Sequence, residues 1–158
     1  MKQKKLPSKH SQEALVDNKG VYIISVIEPF CLSYPRGSSN IIYIGRGNTW
    51  NRLNQGHAKW IVPLSKRLGL RFKINFGMPR VQKTADAFKH VEGDLIRIFV
   101  NKYGQFPYMN KQDARETRSY EYSDNVLAII KNDISESYLA SLSIHMSHAF
   151  LVSELPEV

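Results

Sequence analysis

The chain has one cysteine among its 158 residues, Cys31, which excludes an internal disulfide framework and any zinc cluster built on cysteine. No apolar run approaches the roughly 18 residues a membrane span needs. The opening MKQKKLPSKHSQE is polar and lysine-rich where a secretory signal carries an apolar core. These absences lead to the expectation of a soluble, cytoplasmic protein with no membrane partner. The most informative absence is of negative charge. Between Pro29 and Ala85 there is no Asp or Glu, yet there are ten bases: Arg36, Arg46, Arg52, Lys59, Lys66, Arg67, Arg71, Lys73, Arg80 and Lys83. An acid-free basic third of the chain points to a surface for a polyanion, most simply nucleic-acid phosphate. Arg46, Lys59, Lys66, Arg67, Arg71 and Lys73 are the candidate contacts. Residues 111–158 run the other way, with four bases against eight acids.

The length suits one compact domain with its own core. Residues 1–19 read as a loose basic arm, 20–111 as the folded domain, and 112–158 as an acidic, mainly helical extension packed on that domain. Val21 to Ile27 and Asn40 to Gly45 are short, β-branched and apolar, the pattern of buried strands. Glu28 to Ser39, with two prolines and three serines, predicts a long loop between them. Trp50 to Trp60 reads as a basic helix weakened by Gly56, continuing from Val62 to Leu68 after an irregularity at Pro63. Leu70 to Phe76 alternates strictly, which predicts a half-buried strand with a basic outer face. Helices are expected over Asp124 to Lys131 and again from Ser135 to about Val152.

The strongest single element is Thr84 to Tyr103. At about 100° per residue, Phe88, Val91, Leu95, Ile96, Phe99, Val100 and Tyr103 form one apolar stripe, with Asp94 and Arg97 mostly off it. Thr84 suits the N-cap and Gly104 the C-terminal stop. Glu92 falls on the stripe, among Ile96, Phe99 and Tyr103. A carboxylate there costs several kcal/mol if unpartnered, so it calls for an arginine, a metal ion or a hydrogen-bond network.

Four features then fall in order. Gly20-Val21-Tyr22 opens the first strand, Tyr43-Ile44-Gly45 closes the second, Arg52 and His57 follow, and Glu92 precedes Pro107-Tyr108-Met109-Asn110. From Gly20 to Lys111 this resembles the GIY-YIG nuclease family. The resemblance implies an α/β fold with a small central sheet of about three strands flanked by helices. It also implies metal-dependent endonucleolytic cleavage of DNA, double-stranded in the first instance. The catalytic set implied is Tyr22, Tyr43, Arg52, His57, Glu92 and Asn110. Glu92 would hold Mg²⁺ or Mn²⁺, Arg52 the scissile phosphate, and Tyr22 would be the general base, with Tyr43 and His57 orienting the water. The general base is open between Tyr22 and Tyr43, and Arg46 is the reserve phosphate ligand. Spacings depart from the family pattern at two places: Arg52 stands one position nearer Tyr43-Ile44-Gly45, with His57 five residues after it rather than four, and Asn110 lies a few residues farther from Glu92. Either the helix begins with a local irregularity or the two side chains part company.

The chemistry asks for these residue types independently. Hydrolysis of a phosphodiester needs an activated water, positive charge on the phosphoryl oxygens and help for the leaving oxygen. One carboxylate can anchor a Mg²⁺ whose other positions hold water and phosphate oxygen. A compact restriction-type enzyme is the leading subtype, with the 28–39 loop, the basic arm or a homodimer supplying specificity. The alternatives are a non-catalytic nucleic-acid-binding module of the same fold and a structure-specific nuclease of repair or recombination.

Overall fold

The computed structural model describes residues 19–80, 84–111, 117–131 and 140–142. In chain order the elements are β1 (Lys19–Val26), β2 (Phe30–Tyr34), β3 (Gly37–Ser39), β4 (Ile41–Asn48), a single turn α1 (Thr49–Asn51), a π-helix (Arg52–His57), α2 (Ala58–Leu68), β5 (Phe72–Gly77), α3 (Ala87–Tyr103), α4 (Asp124–Lys131) and β6 (Ala140–Leu142). The chain is therefore a mixed α/β protein with a small three-stranded antiparallel sheet, a second small sheet and helices. The expected arm lies outside the described residues except for Lys19. So does most of the expected 135–152 helix, although three of its residues, Ala140 to Leu142, form a strand instead.

β1 is the centre of the main sheet, ordered β4-β1-β5 with both pairings antiparallel. Every residue of β1 after Lys19 is buried, as expected of a β-branched run covered on both faces. Alternation sends Val21 and Ile23 towards Val91 and Leu95 of α3. Tyr22 faces the other way, against His57 of the π-helix. The sheet thus separates an α3 side from a π-helix side.

Glu28 to Ser39, expected to be a loop, contains the β2-β3 hairpin, and β6 joins β2 in parallel to complete a second sheet. An aromatic cluster fixes the hairpin: Tyr34 lies 4.7 Å from Tyr108 and 5.1 Å from Phe99 by ring centroids, and its hydroxyl donates to the Ile41 carbonyl at 2.7 Å. Arg36 donates through its backbone N–H to the Tyr103 carbonyl and through its guanidinium to that of Asn101, meeting the negative end of α3. This places the hairpin about 15 Å along the helix from Glu92.

α3 begins later than expected. Its N-cap is Asp86, whose carboxylate takes the Lys89 ammonium rather than a backbone N–H, while Thr84 sits in an isolated bridge before it. Gly104 closes the helix at φ 85°, in the left-handed region. α2 runs unbroken through Pro63, so the irregularity expected there is absent. It occurs one turn earlier, in the π-helix. In β5 the expected alternation breaks down: Ile74 is exposed, while Asn75, expected on the outer face, is half-buried against the cavities beside α4.

The acid that α3 truly buries is Asp94, 1% exposed. Residues 118–122 cover a second side of the helix, around Asp94. Asp94 Oδ1 accepts the backbone N–H of Arg118 and Ser119, and Oδ2 that of Tyr120 and the Tyr122 hydroxyl, at 2.8–3.1 Å. Arg97 adds an ion pair at 3.2 Å. Burial alone would raise the Asp94 pKa, but these donors outweigh it and hold the carboxyl below its ordinary value.

Asp94→Ala leaves several buried donors without an acceptor and should cost about 3 kcal/mol in denaturant unfolding. Because the folded pKa is depressed, the stabilisation is full above the ordinary aspartate range and fades as pH falls through the folded value. Asp94→Asn should therefore flatten the acid limb of stability against pH.

Candidate active site

The two strand motifs have a steric logic. A Cβ on Gly45 would stand 2.3 Å from the Tyr43 ring and 2.9 Å from the ring and hydroxyl of Tyr22, its cross-strand partner. One on Gly20 would meet the Gly77 carbonyl at 2.5 Å and the Phe76 ring at 2.6 Å. Each glycine is the floor on which an aromatic ring lies. The Tyr22 and Tyr43 rings sit 5.9 Å apart on the π-helix side of the sheet.

His57 meets them from above. It is buried, its Nε2 lies 2.7 Å from the Tyr22 hydroxyl, and its ring is 4.4 Å from that of Tyr43 and 5.5 Å from Trp60. The Tyr43 ring packs beside that of Tyr22, near enough for each hydroxyl to influence the other's ionisation. The three side chains thus stand in series, a wire with Tyr43 beside Tyr22 and Tyr22 bonded to His57. Tyr22 is only 1% exposed while Tyr43 is partly open, so Tyr43 is the end that faces water.

The five-residue spacing of Arg52 and His57 is accommodated by the π-helix. Ala58 donates its N–H to the Leu53 carbonyl, five residues back rather than four. In an α-helix five residues overshoot a full turn by about 140°. The wider turn absorbs the extra residue and returns Arg52 and His57 to one side. Arg52 is exposed, and its charge makes His57 harder to protonate and the two tyrosines easier to ionise. It forms no hydrogen bond or ion pair with the described residues.

Glu92 approaches from α3, its side chain 15% exposed. Arg46 Nε stands 3.1 Å from Glu92 Oε2. The arginine anticipated as one of three partners for this carboxylate is therefore Arg46. Arg46 and Arg52 line a cleft of about 610 Å³ with Lys19, Lys89, Asn48 and Gln55. Of these, Lys19, Lys89, Asn48 and Gln55 escaped the sequence reading, as did Trp60, although Trp60 stands one helical turn from His57.

The other anticipated residues have different places. The Asn110 carboxamide clamps the open edge of β4, accepting from Ile44 N–H at 3.0 Å and donating to the Ile44 carbonyl at 2.7 Å. With Met109 N–H on the Ile42 carbonyl, it holds the strand that carries Tyr43. Lys59 is exposed on the first turn of α2, while Lys66 and Arg67 lie on its last, about 11 Å away. Arg71 is exposed and donates to the Glu28 carbonyl. Lys73 pairs with Ser25 and borders α4, on the sheet face opposite Tyr22. It does not join the site's basic surface.

The electrostatics revise the expected roles. Burial, then Tyr43 and Glu92, push the Tyr22 hydroxyl far above its ordinary pKa, and Arg52 offsets only part. Burial likewise raises Tyr43. Neither is a standing phenolate at neutral pH, so a general base at either position must pass its own proton on as it takes one. Burial and Arg52 push His57 down to about 4, so it is a neutral imidazole at neutral pH, able to accept or donate at Nε2 by tautomer.

The donor set fits a hard divalent cation. Among the described residues no three His, Cys, Asp or Glu side chains converge, which leaves nothing for a zinc-type cluster. A lone carboxylate beside a polar cleft matches Mg²⁺ or Mn²⁺, which take oxygen from one carboxylate, water and phosphate. Compared with protein-family models, curated proteins and solved structures, the chain matches none of them.

Two outcomes are expected. By NMR, His57 should stay neutral down to about pH 4. Between the ordinary value near 6.5 and about 4 the unfolded chain binds a proton the folded one does not, so stability rises with pH across that window and His57→Gln removes the slope. Deleting Gln55 should convert the π-turn to α-helix, cost no more than about 1 kcal/mol and leave the low His57 pKa intact. Deleting Lys59 instead should rotate Trp60 and Leu64 off the core and unfold the protein at far lower denaturant.

Proposed function

We propose that this chain is a divalent-metal-dependent endonuclease that hydrolyses DNA phosphodiester bonds. The observation that carries the reading is the Tyr43–Tyr22–His57 wire with an exposed Arg52 and a single carboxylate, Glu92, both near enough to act on the two tyrosines electrostatically, beside a basic cleft lined by Arg46 and Arg52. The resemblance to GIY-YIG nucleases from Gly20 to Lys111 points the same way.

Arg52, exposed at the mouth, suits the scissile phosphate through its guanidinium fork. A bound Mg²⁺ at Glu92 would supply Lewis-acid neutralisation of the phosphoryl charge. The attacking water meets Tyr43. Its proton passes to the Tyr43 oxygen as the Tyr43 proton moves to Tyr22 and that of Tyr22 to His57 Nε2, in the tautomer with Nδ1 protonated. Each oxygen gains one proton as it gives one up, so no isolated buried phenolate forms. The relay lets the protonated Tyr43–Tyr22 pair serve together as the base that the family resemblance implies. Asn110 acts as a positioning residue through the backbone of Ile44.

The Glu92–Arg46 pair favours the second reading, a binding module that does not cut, because it balances the carboxylate without a cation. The two separate on supercoiled plasmid and phage DNA incubated with Mg²⁺, Mn²⁺ or EDTA. The nuclease reading expects metal-dependent cutting that falls by a hundredfold or more, about 3 kcal/mol of barrier, in Glu92→Ala. Discrete fragments would indicate site-specific cleavage, and preferential cutting of flaps or junctions a structure-specific enzyme. Salt-sensitive binding indifferent to metal and to Glu92→Ala, without cutting, would select the binding module.

A further inference from the structure

We infer that Arg46 is an exchangeable counter-ion of Glu92, which must be given up before the carboxylate can hold a divalent cation and which then turns to the phosphate cleft. This deepens the proposed function and rests on it. The geometry makes the two partners exclusive. Arg46 Nε lies 3.1 Å from Glu92 Oε2, and a Mg²⁺ bonded to that carboxylate at about 2.1 Å would stand within van der Waals reach of the guanidinium. Two such cations so close repel strongly in a half-buried setting.

Arg46 is built to leave. Its side chain is 35% exposed against 15% for Glu92, so its outer part reaches water while the carboxylate stays in. It springs from the last part of β4, where the strand opens into the cleft, and it lines that cleft together with Arg52, Lys19 and Lys89. A swing away from Glu92 keeps it among groups that suit an anion. Without a cation, the pair keeps Glu92 neutralised and withholds one base from the cleft. With a cation, the same carboxylate is neutralised again and the cleft gains a guanidinium. Metal and polyanion then bind with positive coupling through one side chain.

The test is Mn²⁺ binding by electron paramagnetic resonance on the full chain without DNA, comparing wild type with Arg46→Gln, Arg46→Lys and Glu92→Gln. Arg46→Gln should bind Mn²⁺ on the order of fivefold more tightly, the scale of a partly exposed ion pair. Arg46→Lys should fall between, and Glu92→Gln should lose the site. A second arm measures affinity for a short duplex: Mn²⁺ should tighten it in wild type by a similar factor and far less in Arg46→Gln. Unchanged or weaker Mn²⁺ binding in Arg46→Gln overturns the inference while leaving the nuclease reading intact if plasmid is still cut. Absence of Glu92-dependent Mn²⁺ binding in every form overturns both.

Discussion

The hydrogen bond between the Tyr22 hydroxyl and His57 Nε2 is the contact on which the rest of the site depends. It joins the central strand of the sheet to the helical segment above it, 35 residues later in the chain, and its 2.7 Å length leaves little slack. β1 must pair with β4 so that Tyr22 lies over Gly45. The π-helix must take up one residue so that His57 faces the sheet while Arg52 stays at the mouth. Trp60 and Tyr43 close the sides and exclude water, which keeps the imidazole neutral. An extra methyl at position 45 or a lost residue after His57 breaks this geometry by a different route.

Two acids on α3, two residues apart, are used in opposite ways. Asp94 is sealed under the 118–122 segment and satisfied by five donors, so it serves the fold. Glu92 is paired instead with a long, partly exposed arginine that itself lines the cleft. Satisfied buried charges rigidify, whereas a charge pair with one mobile member can be exchanged. The acid-free stretch from Pro29 to Ala85 gains its meaning here: Arg46 and Arg52 face the cleft with no acid of their own segment competing for them. Lys73 and Arg36, from the same stretch, serve other places in the fold.

Much of this was legible from periodicity and order. The strands at Val21 and Ile41, the α4 helix over Asp124 to Lys131 and the Gly104 stop follow from local pattern, which local backbone energetics obey. Glu92 as a carboxylate in need of a partner was legible too. The partner was not, since a strand residue 46 positions away in the chain supplies it. Asp94 was misjudged because the helical wheel assumes one buried face, and a later segment covers the second. The β2-β3 hairpin was hidden by prolines and serines that read as loop, while the Tyr34 and Tyr108 rings hold it from outside. The π-helix left only an anomalous spacing in the sequence, because i to i+5 bonding has no residue signature of its own. The pKa shifts of Tyr22 and His57 arise from tertiary burial and so lie beyond any reading of residue types.

The account's central claim is that the tyrosine–histidine wire carries the proton of an attacking water. Its most direct measurement is single-turnover cleavage of one saturating duplex by wild type and Tyr22→Phe, which removes the middle hydroxyl and leaves the ring over Gly45. A rate lower by about a hundredfold or more, with duplex affinity and unfolding midpoint unchanged, is the expected result. Equal rates in the two proteins would contradict the claim and reduce Tyr22 to a core aromatic.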